Sequence, residues 1–104
     1  MTRGEVCFAR TGQGGDRPVL VLTRDPVADR IAFVVVAQIT GTARGLISEL
    51  PLDASDGMPK GRVVSFDNIR TIPKIEFRRR VTTLSPSRME QACAVMNDAL
   101  GCYH

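Results

Sequence analysis

Arginine, hydroxyl and carboxylate side chains carry most of the chemistry this 104-residue chain has to offer. Its single histidine, His104, ends the sequence, so a Cys–His dyad would depend on a terminal residue and a two-histidine mechanism is excluded. Cys7, Cys93 and Cys102 are odd in number and form no Cys-x-x-Cys pair. That argues against a zinc site and for buried or idle thiols. Gly12-Gln13-Gly14-Gly15 is glycine-rich but lacks the lysine and following helix of a phosphate-cradling loop, and no Gly-x-Ser-x-Gly elbow occurs. Three polar residues stand where strands read as beginning or ending: Arg17, Thr40 and Asp67. Strand ends of a small barrel point toward shared mouths, so these three side chains are candidates to converge. Each also has a plain structural reading: a surface arginine, a β-forming threonine and a turn-forming aspartate.

The elements that would position them are mostly strands. Gly4 to Arg10 alternates, with Val6 and Phe8 on one face and Glu5 and Cys7 on the other. A flexible loop, Thr11 to Asp16, leads through Arg17-Pro18 into a strand Val19 to Thr23. Arg24-Asp25-Pro26 with Asp29 reads as a turn. Ile31 to Thr40 is a β-branched run too continuous for a one-sided strand, so it is expected in the sheet centre. Ser48 to Leu52 reads as a short strand, Asp53 to Gly61 as a loop, and Arg62 to Phe66 as a strand. Asp67-Asn68-Ile69 reads as a tight turn, with short strands at Arg70 to Ile72 and Arg79 to Thr83. A helix follows, with Ser85 as N-cap, Pro86 at its first position and Gly101 as its stop. Met89, Ala92, Cys93, Met96, Ala99 and Leu100 form its apolar face. Short strands and then one helix predict a mainly β fold: a small barrel with a C-terminal helix, forming a single domain over residues 1–104.

Composition agrees with such a domain. Hydrophobic residues make up 43% and charged residues 24%. No apolar run is long enough to span a bilayer and no signal-peptide core opens the chain, so cytoplasmic residence without membrane association is expected. The net charge of +3 points weakly to an anionic partner.

Four blocks of sequence narrow the function. Arg3-Gly4-Glu5-Val6, Gln13-x-Gly15-x-Arg17-Pro18-Val19-Leu20-Val21-Leu22, Val35-Val36-Ala37-Gln38-Ile39-Thr40-Gly41-Thr42 and Val64-Ser65-Phe66-Asp67-Asn68-Ile69-Arg70-Thr71-Ile72 occur in this order along the chain. Together they resemble the signature segments of the MazF/PemK toxins. The resemblance implies an SH3-like barrel homodimer, related in fold to CcdB, that cleaves single-stranded mRNA at short motifs without a cofactor or metal. It also implies a cognate antitoxin whose acidic, flexible tail covers the RNA groove. On this resemblance Arg17 and Thr40 match the positions taken as catalytic, and Asp67 matches an acidic position near the active site. Gln13, Gly15, Thr42, Arg44, Arg70 and Lys74 are the expected RNA-binding residues. The chain departs from the family in its short first loop, in Cys7 at a usual aromatic, in Gln38 at a usual proline and in Ser65 where some members carry arginine.

RNA supplies its own nucleophile, the 2′-hydroxyl. Arg17 would then stabilise charge on the phosphoryl oxygens, alone or with Arg44 or Arg70, and Thr40 would hold the phosphate or the 2′-hydroxyl. Asp67 and Glu49 are the candidate general bases. Arg10, Arg24, Lys60 and the Lys74 to Arg80 segment offer phosphate contacts, although Arg78-Arg79-Arg80 equally suits a solvated strand edge. Two rival readings share the barrel: a non-catalytic nucleic-acid-binding module, and a toxin directed at gyrase.

Overall fold

A computed structural model describes residues 1–12, 14–24 and 30–101. Six strands and one helix follow in order: β1 (Glu5–Arg10), β2 (Asp16–Val21), β3 (Phe33–Thr40), β4 (Glu49–Pro51), β5 (Val63–Pro73), β6 (Phe77–Thr83) and α1 (Pro86–Leu100). Single 3₁₀ turns lie at Ala54–Asp56 and Lys74–Glu76. The strands form one antiparallel sheet in the order β4-β5-β3-β2-β1-β6. This is the mainly β, helix-terminated architecture of the SH3-like barrel type.

As expected from its β-branched run, β3 is central, and its alternation serves two cores. Ala37 and Ile39 join Val6, Leu20, Val64, Phe66 and the helix residue Ala92 in one cluster. Val34 and Val36 join Ala9, Val19, Val21 and Ile72 in another. Neighbouring residues of a strand point to opposite faces, so the clusters lie on opposite sides of the sheet. The start of β3 departs from the fully covered strand expected, because Phe33 is 56% exposed.

The tight turn expected at Asp67-Asn68-Ile69 is absent; β5 runs through it. Ala37 pairs with Ile69, but the next residue, Gln38, pairs with Ser65. Phe66, Asp67 and Asn68 are therefore looped out as a bulge within one long strand. Phe66 turns inward to the helix-side core, and its N–H donates to the Ser48 carbonyl.

The helix begins and ends as its capping residues direct. Ser85 Oγ accepts from the Arg88 N–H and Gly101 closes the helix in the left-handed conformation. Its core face is Met89, Ala92, Val95, Met96 and Ala99. Val95 replaces the expected Leu100, which is exposed, and Cys93 is half-buried, accepting from Arg3 Nη2 at 2.9 Å. Arg88 fastens the helix to the 53–61 loop. Its Nε lies 2.9 Å from Asp56 Oδ1 and its Nη2 3.2 Å from Oδ2, and the guanidinium also donates to the Pro51 carbonyl and Gln91. The Asp56 side chain is 2% exposed. Asp53 and Asp56 cap the 3₁₀ turn reciprocally, and Gly57 leaves it at φ +77° against Thr82.

Candidate active site

Arg17 and Thr40 meet through strand register. Val19 pairs with Gln38, Leu20 with Ala37 and Val21 with Val36. Carried two residues past Val19–Gln38, the same register sets Arg17 opposite Thr40, on the same face. The paired ladder stops before them, the strand ends part, and a groove of about 500 Å³ opens between them. Arg17, Thr40 and Thr42 all line it. Thr40 Oγ1 donates to the Thr42 carbonyl at 3.3 Å, an exposed contact at the groove.

Two further arginines complete the groove. Thr40 pairs with Val63, which carries Arg62 beside Gly41; a Cβ at Gly41 would collide with the Arg62 guanidinium. Arg79 comes from β6 and stands 4.9 Å above the Phe8 ring. Among the described residues the charged lining is thus Arg17, Arg62 and Arg79 against one carboxylate, Asp16, which is loosely paired with Arg78 at 3.7 Å. Such a lining attracts a phosphodiester. Met58 and Pro59 from the 53–61 loop form the apolar wall.

The other expected site residues lie elsewhere. Asp67 does not line this groove; the bulge carries it beside β4, where it accepts from Ser48 Oγ at 2.5 Å. Glu49, the other candidate base, holds the preceding loop by accepting from the Arg44 and Leu46 amides at 2.9 and 3.3 Å. Arg44 is therefore fixed by its backbone next to β4, with its side chain exposed. Arg70 lines a second, smaller cleft and donates to the Thr11 carbonyl at 2.9 Å. Lys74 is half-buried in the turn after β5. Gly15 is exposed at φ +64°, directly before Asp16, and Gln13 lies outside the described residues. The sequence reading passed over Arg62 and Asp16. Asp16 had a signal, its position next to Arg17, whereas Arg62 becomes visible only through the β3–β5 register.

Cys7 is not a nucleophile in waiting. Burial pushes its thiol up to about 11, helped by the charge of Glu5 and the hydrogen bond to it, against a smaller opposing pull from Arg80. Among the described residues no group of three or more His, Cys, Asp or Glu side chains is placed to hold a metal.

Over residues 2–100 the sequence matches the family described as PemK-like, MazF-like toxin of type II toxin–antitoxin system. This chain is a PemK/MazF toxin. It is 58% identical to the probable endoribonuclease MazF2 of Mycobacterium tuberculosis, over 98% of this chain and all of that one. It is 46% identical to endoribonuclease MazF3 of the same organism, over 69% of this chain and 70% of that one. The fold overlays the Mycobacterium tuberculosis toxin MazF-mt6 with a TM-score of 0.85 at 36% identity, covering 93% and 96% of the two chains. It also overlays a mycobacterial endoribonuclease solved with its cognate antitoxin, with a TM-score of 0.90 at 26% identity, covering 100% and 98%. The family expected from the four sequence blocks is the family found. For a PemK/MazF toxin the Arg17–Thr40 groove is accordingly the candidate catalytic centre.

Proposed function

We propose that this PemK/MazF chain is an endoribonuclease toxin that cuts single-stranded mRNA at a short motif in the groove between Arg17 and Thr40. The observation that carries the proposal is the pairing itself: a guanidinium and a hydroxyl, 23 residues apart, line one basic groove. The endoribonuclease names of the relatives support the same reading. The substrate's 2′-hydroxyl attacks the adjacent phosphorus, the bond to the 5′-oxygen breaks, and the products are a 2′,3′-cyclic phosphate and a 5′-hydroxyl. Arg17 binds the phosphoryl oxygens as their charge grows and gives the leaving 5′-oxygen its proton, which it regains from solvent. Thr40 turns its single O–H from the Thr42 carbonyl to the bound phosphate. Asp16 replaces Asp67 and Glu49 as the acceptor of the 2′-hydroxyl proton, being the carboxylate that lines the groove. These steps need no metal.

The working unit is a homodimer joined through an apolar face: Ile31, Phe33, Val35 and Ile75 are all exposed, and Phe33 pairs with Pro73 next to the Ile75 turn. A cognate antitoxin with an acidic, flexible tail occupies the basic groove and silences it. Cytoplasmic mRNA is the target; no helix among the described residues is long and apolar enough to cross a membrane.

The test is cleavage of a long single-stranded RNA, with mapping of the new ends. Cuts at a shared short motif, 5′-hydroxyl ends, full activity in EDTA and protection by one deoxyribose at the cut site are expected. Binding without cutting, or gyrase inhibition without cutting, would overturn the proposal.

A further inference from the structure

Beside the end of β1 lies a second cleft of about 400 Å³, lined by Arg10, Thr11, Gly12 and also by Arg70, Ile72 and Glu76. Within it the Thr11 side-chain oxygen is buried and has no hydrogen-bond partner. Thr11 as a whole is 8% exposed. A buried hydroxyl without a partner is uncommon in folded proteins and calls for a ligand or an ordered water. Arg70 spends one of its N–H groups on the Thr11 carbonyl, which fixes the loop, and a guanidinium has five such donors. Arg10 is exposed at the rim. Two guanidiniums and a hydroxyl donor, offset by the Glu76 carboxylate, leave one net positive charge, which matches a single phosphodiester.

The location favours RNA. Arg10 pairs across the β1–β2 ladder with Asp16, which lines the catalytic groove. The rim of the second cleft is therefore a direct cross-strand neighbour of the catalytic groove's lining, as successive phosphates of one RNA strand would require. We infer that the Arg10–Thr11–Arg70 cleft is a second phosphate-binding subsite, which grips the RNA backbone away from the scissile bond. This rests on the endoribonuclease reading of the groove.

The experiment uses the intact toxin and a single-stranded RNA made uncleavable by one deoxyribose, with the dissociation constant measured against salt. Arg10→Gln is expected to weaken binding several-fold and to reduce the log–log salt slope by about 0.7, the loss of one phosphate contact on a single strand. Thr11→Val removes the hydroxyl and keeps the shape. It is expected to weaken binding while leaving the melting temperature unchanged or raised, which a purely structural threonine would not do. Replacing RNA phosphates one at a time with uncharged methylphosphonates is expected to reveal one position, off the cut site, that matters to the natural protein and not to Arg10→Gln. Unchanged affinity and slope in both variants would overturn the subsite. So would loss of binding to an acidic peptide with RNA binding intact, which would assign the cleft to a carboxylate partner. If unmodified RNA survives the natural protein, the nuclease reading itself has failed, an outcome seen separately from these binding measurements.

Discussion

At the scale of single residues, the proposed cleavage rests on Arg17, Thr40 and Asp16, which line one groove. Arg17→Ala is expected to abolish RNA cleavage with the circular dichroism spectrum intact, since Arg17 is exposed and its removal opens no cavity. Thr40→Val keeps the volume and removes the hydroxyl proposed to hold the phosphate; cleavage should fall about 10²-fold. Asp16→Asn should lower kcat by about 10²-fold or more, while Asp67→Asn should leave kcat near its natural value. Cys7 should resist alkylation at neutral pH while half-buried Cys93 reacts, which mass spectrometry of the alkylated chain reads directly. Because folding raises the Cys7 thiol, its favourable contribution is complete below an unfolded thiol's titration near pH 8.5 and is lost as pH rises toward about 11. Alkaline melting curves should fall in that window, and less so in Cys7→Ala. Arg17 and Thr40 were legible in the sequence because their neighbours carry family signatures. Asp67 was misplaced for a physical reason: an Asp-Asn pair suits a turn locally, but here Asp67 accepts from Ser48, 19 residues away, inside a bulge fixed by the β3–β5 register.

At the scale of elements, what could be read depended on how local the cause was. The helix ends are set by Ser85, Pro86 and Gly101 within a few residues of where they act, and they were placed correctly. The β5 strand is set by its partner, β3, some 30 residues earlier, so its continuity through Asp67 left no local trace. The clamp between Arg88 and Asp56 was equally invisible, since 32 residues separate the pair. Arg88→Ala would leave the 2% exposed Asp56 carboxylate without its cation, and about 3 kcal/mol of stability should be lost in urea melts. Asp56→Ala added to it should cost much less than it does alone. Gly57→Ala should also destabilise, through its positive φ and the contact with Thr82, and Thr82→Ala should relieve only the second part. The Asp53 carboxylate sits below its ordinary range, chiefly through the hydrogen bonds from Ser55. The capped turn therefore keeps this contribution above about pH 4 and loses it only as pH falls further.

At the scale of the molecule, a net charge of +3 and three arginines in one groove would make the proposed binding to RNA electrostatic. Cleavage at low substrate concentration should fall steeply with added salt, and far less at saturating RNA. Phe33→Asp with Ile75→Asp should turn the proposed dimer into a monomer in sedimentation experiments, since both side chains are exposed on the apolar face. The Arg88–Asp56 clamp reaches further than its energy suggests. It anchors the loop that supplies Met58 and Pro59 to the groove wall, yet neither charged partner lines the groove. Weakening it moves the temperature at which the wall comes loose and leaves the chemistry untouched. A growing culture carrying Arg88→Ala should therefore behave as a conditional strain, poisoned when cool and recovering when warm.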